Sequence, residues 1–420
     1  MSADDAPTEE GEGRSARLGR ADALLIALLA LTLIPFVIVI FGGVGRSSPL
    51  VVAAVTGLAI VAAALFLSWA TETLEITVPV SAALALLALI EVLPEYSFEV
   101  VLAWERRIEL AASSMTGSNR LLLGVGWPLI FFVAYFAARA RRRPFRAVEI
   151  PRALAADVLF LSAATVYAVL IAAKATLGLL DAVVLIALYV AYIVNALRSG
   201  RTESEEEEEE EGEPGIVGKL QRLPGIRRAL VVVVFLAFGA FVIGFGAEPF
   251  IAGLIASADS LGVPQFFLIQ WVAPFLAEFP ESLTAFLWAA TIVSVARGLG
   301  NLVSAKLNQW TLLIATIPIV YSLSLGHPAE IALVQLSRDE ILLTAAQTLL
   351  GVAMLARLRL TLFDAVLLLA LFLTQFAVPA IRLEVAVAYV LSAAAYCAIG
   401  RSPLPLVRAL RSHGSAESSE

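Results

Sequence analysis

Residues 78–103 read VPVSAALALLALIEVLPEYSFEVVLA, and residues 264–294 read PQFFLIQWVAPFLAEFPESLTAFLWAATIVS. Each run is long and apolar enough to cross a bilayer as a helix, and each places a Pro-Glu pair and a further glutamate in its middle. An ionised side chain at the centre of a membrane helix costs about 2.5–3.5 kcal/mol on insertion scales, so glutamates kept there mark function. Pro94 has no N–H, so the carbonyl of Ile90, four residues earlier, loses its helical partner. Glu91 and Glu95, at i and i+4, share a face with that opening. In the second run Pro280 frees the carbonyl of Leu276, Pro274 frees that of Gln270, and Glu278 and Glu281 lie i, i+3. Free carbonyls beside paired carboxylates are what a hard cation takes as ligands. The residues therefore nominate Glu91, Glu95, Glu278 and Glu281 as ion-binding, with Pro94, Pro274 and Pro280 as helix breakers.

The rest of the 420-residue chain fits that setting: 60% of it is hydrophobic, 15% is charged, and the mean hydropathy is +0.89. Its apolar runs are continuous rather than alternating, which excludes a β-barrel and predicts an all-α polytopic membrane protein. Twelve spans are expected, at 22–41, 49–71, 78–103, 112–138, 153–173, 177–197, 228–257, 264–294, 298–325, 338–357, 361–379 and 383–400. One cysteine, Cys397, allows no internal disulfide, and two histidines, His327 and His413, make no histidine metal site. The first run, Leu24 to Phe41, lacks a small-residue cleavage site and is expected to stay as a helix. No resident cofactor, catalytic group or nucleic-acid partner is expected. The partners are the lipid bilayer and transported cations, and oligomeric state is not legible.

The stretch 198–227 carries the run Glu205–Glu211 with Gly and Pro, and reads as a disordered, solvated tether between two halves. Arg14, Arg17 and Arg20, the cluster Arg139 to Arg152, the tether's basic residues, Arg357 and Arg359, and Arg401 to Arg411 fall on one side of twelve spans. By the positive-inside rule that side is the cytoplasm, which puts both tails (1–21 and 401–420) and the tether inside an inner membrane. Arg106 and Arg107 fall outside, offset by Glu105 and Glu109.

The two halves repeat. Val78-Pro79 recurs as Val263-Pro264 (263 − 78 = 185), and Leu93-Pro94-Glu95 as Phe279-Pro280-Glu281 (281 − 95 = 186). Gly117-Ser118-Asn119 aligns with Ser304-Ala305-Lys306 (304 − 117 = 187), Arg152 with Arg338 (186), and Asp181-Ala182-Val183 with Asp364-Ala365-Val366 (183). Each repeat, 49–197 and 228–379, holds five of the expected spans; an odd number makes the second copy enter from the opposite side. Extra helices flank them at 22–48 and 380–400. Inverted repeats imply alternating access around a site near the midplane.

The next span of each repeat adds polar atoms: Ser118 and Asn119 in one, Ser304, Lys306, Asn308 and Gln309 in the other. Such residues serve either as ligands or as packing positions between helices. Four ionised glutamates are more negative charge than a low-dielectric site sustains, which assigns Lys306 and Arg120 as charge-compensating cations. Glu248 is a candidate for the ion pathway. Asp181 and Asp364 open helices and are expected to cap them, and Lys174 is expected to snorkel to the interface.

This pattern resembles the cation/calcium antiporter superfamily, and within it the prokaryotic sodium/calcium exchangers, whose repeats each carry Gly-Thr-Ser-Leu-Pro-Glu followed one helix later by Gly-Ser-Asn. The chain shows Leu93-Pro94-Glu95, Phe279-Pro280-Glu281, an intact Gly117-Ser118-Asn119 and the lead-in Gly246-Ala247-Glu248-Pro249. The resemblance implies a ten-helix core exchanging a divalent cation for sodium or protons, with Glu95 and Glu281 as central metal ligands. The chain departs from the family where Thr-Ser pairs give way to Glu91-Val92 and Ala277-Glu278, and where Leu122 and Lys306 replace polar or neutral residues. Hydroxyls are lost while carboxylates and a cation are gained, so calcium and sodium do not follow from the resemblance. The expected function is secondary cation antiport. The rival is a non-transporting scaffold or sensor that keeps the fold.

Overall fold

A computed structural model describes residues 19–43, 48–74, 92–151, 154–198, 215–291 and 295–399. Glu91, the carbonyl of Ile90, Val78-Pro79, the Glu205–Glu211 run, residues 1–18 and the tail 401–420 lie outside them.

The described residues are almost wholly helical. In chain order they form α1 (Arg20–Leu31), α2 (Leu33–Ile40), α3 (Pro49–Leu74), α4 (Leu93–Trp104), α5 (Ile108–Leu121), a π-helical turn π1 (Leu122–Gly126) and α6 (Trp127–Ala140). Strand β1 (Ala147–Glu149), α7 (Ala155–Lys174), β2 (Thr176–Leu177) and α8 (Leu179–Arg198) complete the first half. The second half contains α9 (Gly215–Gln221), α10 (Gly225–Leu261), α11 (Gln265–Thr291), α12 (Val295–Asn308), π2 (Gln309–Leu313), α13 (Ile314–Leu325) and β3 (Ile331–Ala332). It ends with α14 (Gln335–Leu355), β4 (Arg359–Thr361), α15 (Leu362–Ala377) and α16 (Arg382–Ile399).

Among the described residues seven helical segments are long and apolar enough to cross a membrane, and α15 is a shorter apolar helix. Outside those limits fall α4, α11, the α12–π2–α13 run and α14, which carry Glu95, Glu278, Gln309 and Glu340. The outer surface is studded with large apolar side chains such as Leu180, Val166, Phe363 and Leu391. That much exposed apolar surface suits a lipid solvent. The protein is a multi-pass α-helical membrane protein.

Two sequence expectations change. The helix α9 forms inside the stretch expected as an unstructured tether, because Val217 and Leu220 bury against Phe66, Trp69, Val232 and Phe235. Gln221 Nε2 also donates to the Glu72 carbonyl at 2.9 Å. The second glutamate helix is not broken: α11 runs continuously through Pro274 and Pro280, whereas α4 starts at Leu93 with Pro94 in its first turn. Membrane helices tolerate internal prolines when neighbouring helices pack on the freed carbonyls. Here Gly117 of α5 does so: a Cβ at Gly117 would lie 1.9 Å from the Gln270 carbonyl oxygen, the group Pro274 leaves without a helical donor.

Two short strand bridges join the halves. Strand β1 pairs antiparallel with β4, and β2 with β3. They are copies of each other: Ile150 N–H donates to Leu358 O at 3.0 Å, and Leu333 N–H to Ala175 O at 2.8 Å. Shifting 150 and 175 by 183 gives 333 and 358, so the copy exchanges donor and acceptor halves. Ala175 and Leu358 both take positive φ, 59° and 55°, a left-handed turn that closes their helices. Beside them, Lys174 meets Asp181 at 2.6 Å and Arg357 meets Asp364 at 2.7 Å, again 183 apart. Strands β1 and β2 sit at the two ends of α7, a 20-residue helix about 30 Å long. Strand β3, the counterpart of β1, therefore lies at the opposite end of the molecule from β1.

Candidate ion-binding site

The centre of the molecule is built where α4, α5, α11 and π2 meet. Glu95 is buried in the first turn of α4, placed there by the helix start that Pro94 favours. Glu278 is buried on α11, between Pro274 and Pro280. The Gln309 amide lies between them: Nε2 donates to Glu95 Oε1 at 2.9 Å and to Glu278 Oε1 at 3.1 Å. The two carboxyl groups are themselves in side-chain hydrogen-bonding contact, and the Ser118 hydroxyl donates to Glu278. Glu95 Oε2 and Gln309 Oε1 are buried without a partner among the described residues.

Gln309 reaches the pair because it opens a π-helical turn, which re-aims side chains by widening the helix at that point. Its counterpart Leu122, 187 residues earlier, opens π1 but is apolar and buried. The site is thus asymmetric: one repeat supplies the bridging amide and the other supplies Ser118.

The structure sorts the remaining candidates. Glu281 lies one turn beyond Glu278 and is only half-buried; the residue brought against Glu95 is Glu278, although Glu281 is the aligned copy. Asn119 is buried, but its carbonyl and Oδ1 accept from Lys306 Nζ at 2.9 and 3.1 Å. Lys306 is fully buried, its ammonium lies over the Trp310 ring at 5.6 Å, and no carboxylate among the described residues comes within ion-pair distance. Asn308 accepts from Tyr96 Oη at 2.6 Å, and Ser304 bonds Tyr192 Oη at 2.9 Å, so both brace helices rather than line the site. Among the described residues, Glu248 is exposed on α10 and forms no hydrogen bond to the central cluster.

Arg120, expected to balance the central glutamates, faces the other way. It is buried in an ion pair with Glu340 of α14, donates to Gln375 at 3.1 Å and stacks over Trp271 at 5.0 Å. Glu340 also accepts from Arg382 at 2.9 Å and from Gln270 at 2.9 Å. Glu340 escaped notice in the sequence because it stands near the start of its span, where a glutamate normally reaches water. Asp181 and Asp364 take backbone N–H groups of Gly178 and Thr361, each at 2.7 Å, as helix-start caps. Lys174 pairs with Asp181 rather than only reaching the interface.

A carboxyl pair linked by one amide, with acceptor oxygens unpartnered among the described residues, is a place for a cation or a proton. Residues 47–198 match the sodium/calcium exchanger protein family. The fold matches a crystal structure of the H+/Ca2+ exchanger CAX at 32% identity and TM-score 0.85, covering 96% of this chain and 100% of that one. Two more distant structures share the fold: the Ca2+/H+ antiporter protein YfkE (18% identity, TM-score 0.59, 89% of this chain and 100% of that one) and the sodium-calcium exchanger NCX_Mj (15%, 0.52, 83% and 99%). Comparison with curated proteins finds no match. With a continuous match over nearly its full length at that identity, the chain belongs to the cation/calcium antiporter superfamily.

Proposed function

We propose that the protein is a secondary antiporter of an inner membrane that exchanges a divalent cation, calcium first among candidates, for protons. Glu95 and Glu278 are its central ligands, assisted by Gln309 and Ser118. The observation that carries this reading is the Gln309-bridged carboxyl pair. Two carboxylates in contact repel unless a proton or a cation lies between them. Occupancy by one therefore excludes the other, and that exclusion is the chemical basis of antiport. The copied bridges at opposite ends of α7 support inverted repeats that rock around the site. The likeness to the H+/Ca2+ exchanger CAX at 32% identity favours protons over sodium as counter-ion.

Flux in proteoliposomes tests the proposal. An outward-directed proton gradient should drive calcium uptake in the absence of sodium, and Glu95→Gln and Glu278→Gln should each abolish it while the protein still inserts. Absence of any cation flux in the parent protein would instead support a scaffold that keeps the fold, and a strict sodium requirement would reject the proton coupling.

A further inference from the structure

One turn beyond Glu95 on α4 stands Glu99, which the antiport reading does not use. It is 1% exposed, and its Oε2 has no partner among the described residues. The Ser114 hydroxyl of α5 donates to the carboxyl group. No lysine or arginine among the described residues lies within ion-pair distance of it. The elements packed on α4 carry Glu278 and Glu281 on α11, Glu72 on α3, Gln309 on π2, Tyr321 on α13, Glu109 and Arg120 on α5, and Arg227, Arg228, Glu248 and Asp259 on α10, and none of their cations pairs with Glu99. Arg120 on α5 is committed to Glu340.

A carboxylate walled into that setting without a counter-charge is not sustained; it holds a proton or it borrows a cation's field. The cation's place is one helical turn away, about 6 Å along α4. The next residues of α4 lead to the turn at Glu105–Arg107, the side assigned to the exterior. We propose that Glu99 is a second proton carrier of the transport cycle, lying between the central pair and the outer face.

With no metal bound, Glu95 and Glu278 share one proton and Glu99–COOH holds another. When the divalent cation seats between Glu95 and Glu278, the shared O–H bond breaks and that proton leaves. The Glu99 O–H bond breaks too, because the cation's field now stabilises the Glu99 carboxylate. Two positive charges enter and two protons leave, with no other reactant. Binding of protons at Glu99 and of metal at the central pair are linked, so each weakens the other.

The inference rests on the proton-antiport reading, and its test separates the two. Calcium titration of purified protein and calcium flux with a pH-sensitive dye in proteoliposomes are measured for the parent and for Glu99→Gln, which mimics the protonated acid. Glu99→Gln should bind calcium about tenfold more weakly than the parent near neutral pH, by a factor that shrinks as the pH is lowered. It should release one proton fewer per calcium bound and show a flatter pH dependence of flux, and Glu99→Asp should restore both. If Glu99→Gln does not purify, Ser114→Ala, which removes the donor to Glu99, should shift the pH profile of flux. An unchanged proton count and pH profile in these variants overturns the role of Glu99, and so does loss of calcium binding in Glu99→Gln with proton release intact in Glu99→Asp. Failure of the parent itself to exchange calcium for protons overturns the antiport reading instead.

Discussion

At the residue scale, the site turns on which glutamate meets Glu95. The repeat pairs it with Glu281, but Gln309 bridges Glu95 to Glu278. Glu278→Gln should therefore abolish calcium flux, while Glu281→Gln should leave measurable flux with a changed affinity; equal loss in both would return the site to the aligned pair. Gln309→Leu removes two charge-assisted hydrogen bonds, each worth about 1.5–3 kcal/mol, and should weaken calcium binding by at least about tenfold in a titration. Lys306 is the other residue with a specific expectation. Its ammonium is enclosed by Asn119 and Trp310, next to the serine that serves Glu278. We propose that it acts as a tethered cation beside the site. Lys306→Met should create sodium dependence or sodium inhibition of calcium flux that the parent lacks. Identical ion and pH dependence in the two proteins would reduce Lys306 to a packing residue.

At the scale of elements, the decisive contact is α5 against α11. Gly117 is there because the Gln270 carbonyl, released by Pro274, leaves no room for a Cβ. Gly117→Ala must push the two helices apart, an overpacking that costs about 1–3 kcal/mol and should lower the melting temperature of the purified protein. Because both helices carry ligands, calcium affinity should fall with it. Between α5 and α14, Arg120–Glu340 is a buried pair, and removing one partner of such a pair costs about 3–5 kcal/mol. Arg120→Met should therefore reduce thermal stability sharply, and Glu340→Leu added to it should recover part of the loss. Thermal unfolding of the single and double variants checks this. If Arg120 instead compensated the central glutamates, the double variant would be no better than the single.

At the scale of the molecule, the two bridges exchange under a shift of 183 and lie at opposite ends of α7. Cysteines placed at Ala147 and Thr361 in a Cys397→Ala background should cross-link only with a thiol reagent that reaches the cytoplasm. Cysteines at Thr176 and Ala332 should cross-link with an impermeant reagent in intact cells, and a cysteine in the tether at Gly200 should stay unlabelled by it. Labelling with the reverse sidedness would invert the orientation drawn from the arginines, and labelling of both pairs from one side would end the inverted-repeat reading.

The sequence by itself determined what short-range chemistry dictates. Apolar run length made the chain a membrane protein, the proline-glutamate pairs marked α4 and α11 as the carriers of Glu95 and Glu278, and a repeated order of motifs exposed two halves. The left-handed closures at Ala175 and Leu358 follow the same repeat, though neither residue type announces a positive φ. Tertiary structure alone decided the partners. The π-helical turn that aims Gln309, the packing that selects Glu278 over Glu281 one turn on, the diversion of Arg120 to Glu340 and the isolation of Glu99 depend on helices far apart in sequence. The physical reason is one of range. Hydropathy and helix breaking are properties of neighbours along the chain, whereas the field at a buried carboxyl group is set by whichever helices pack against it.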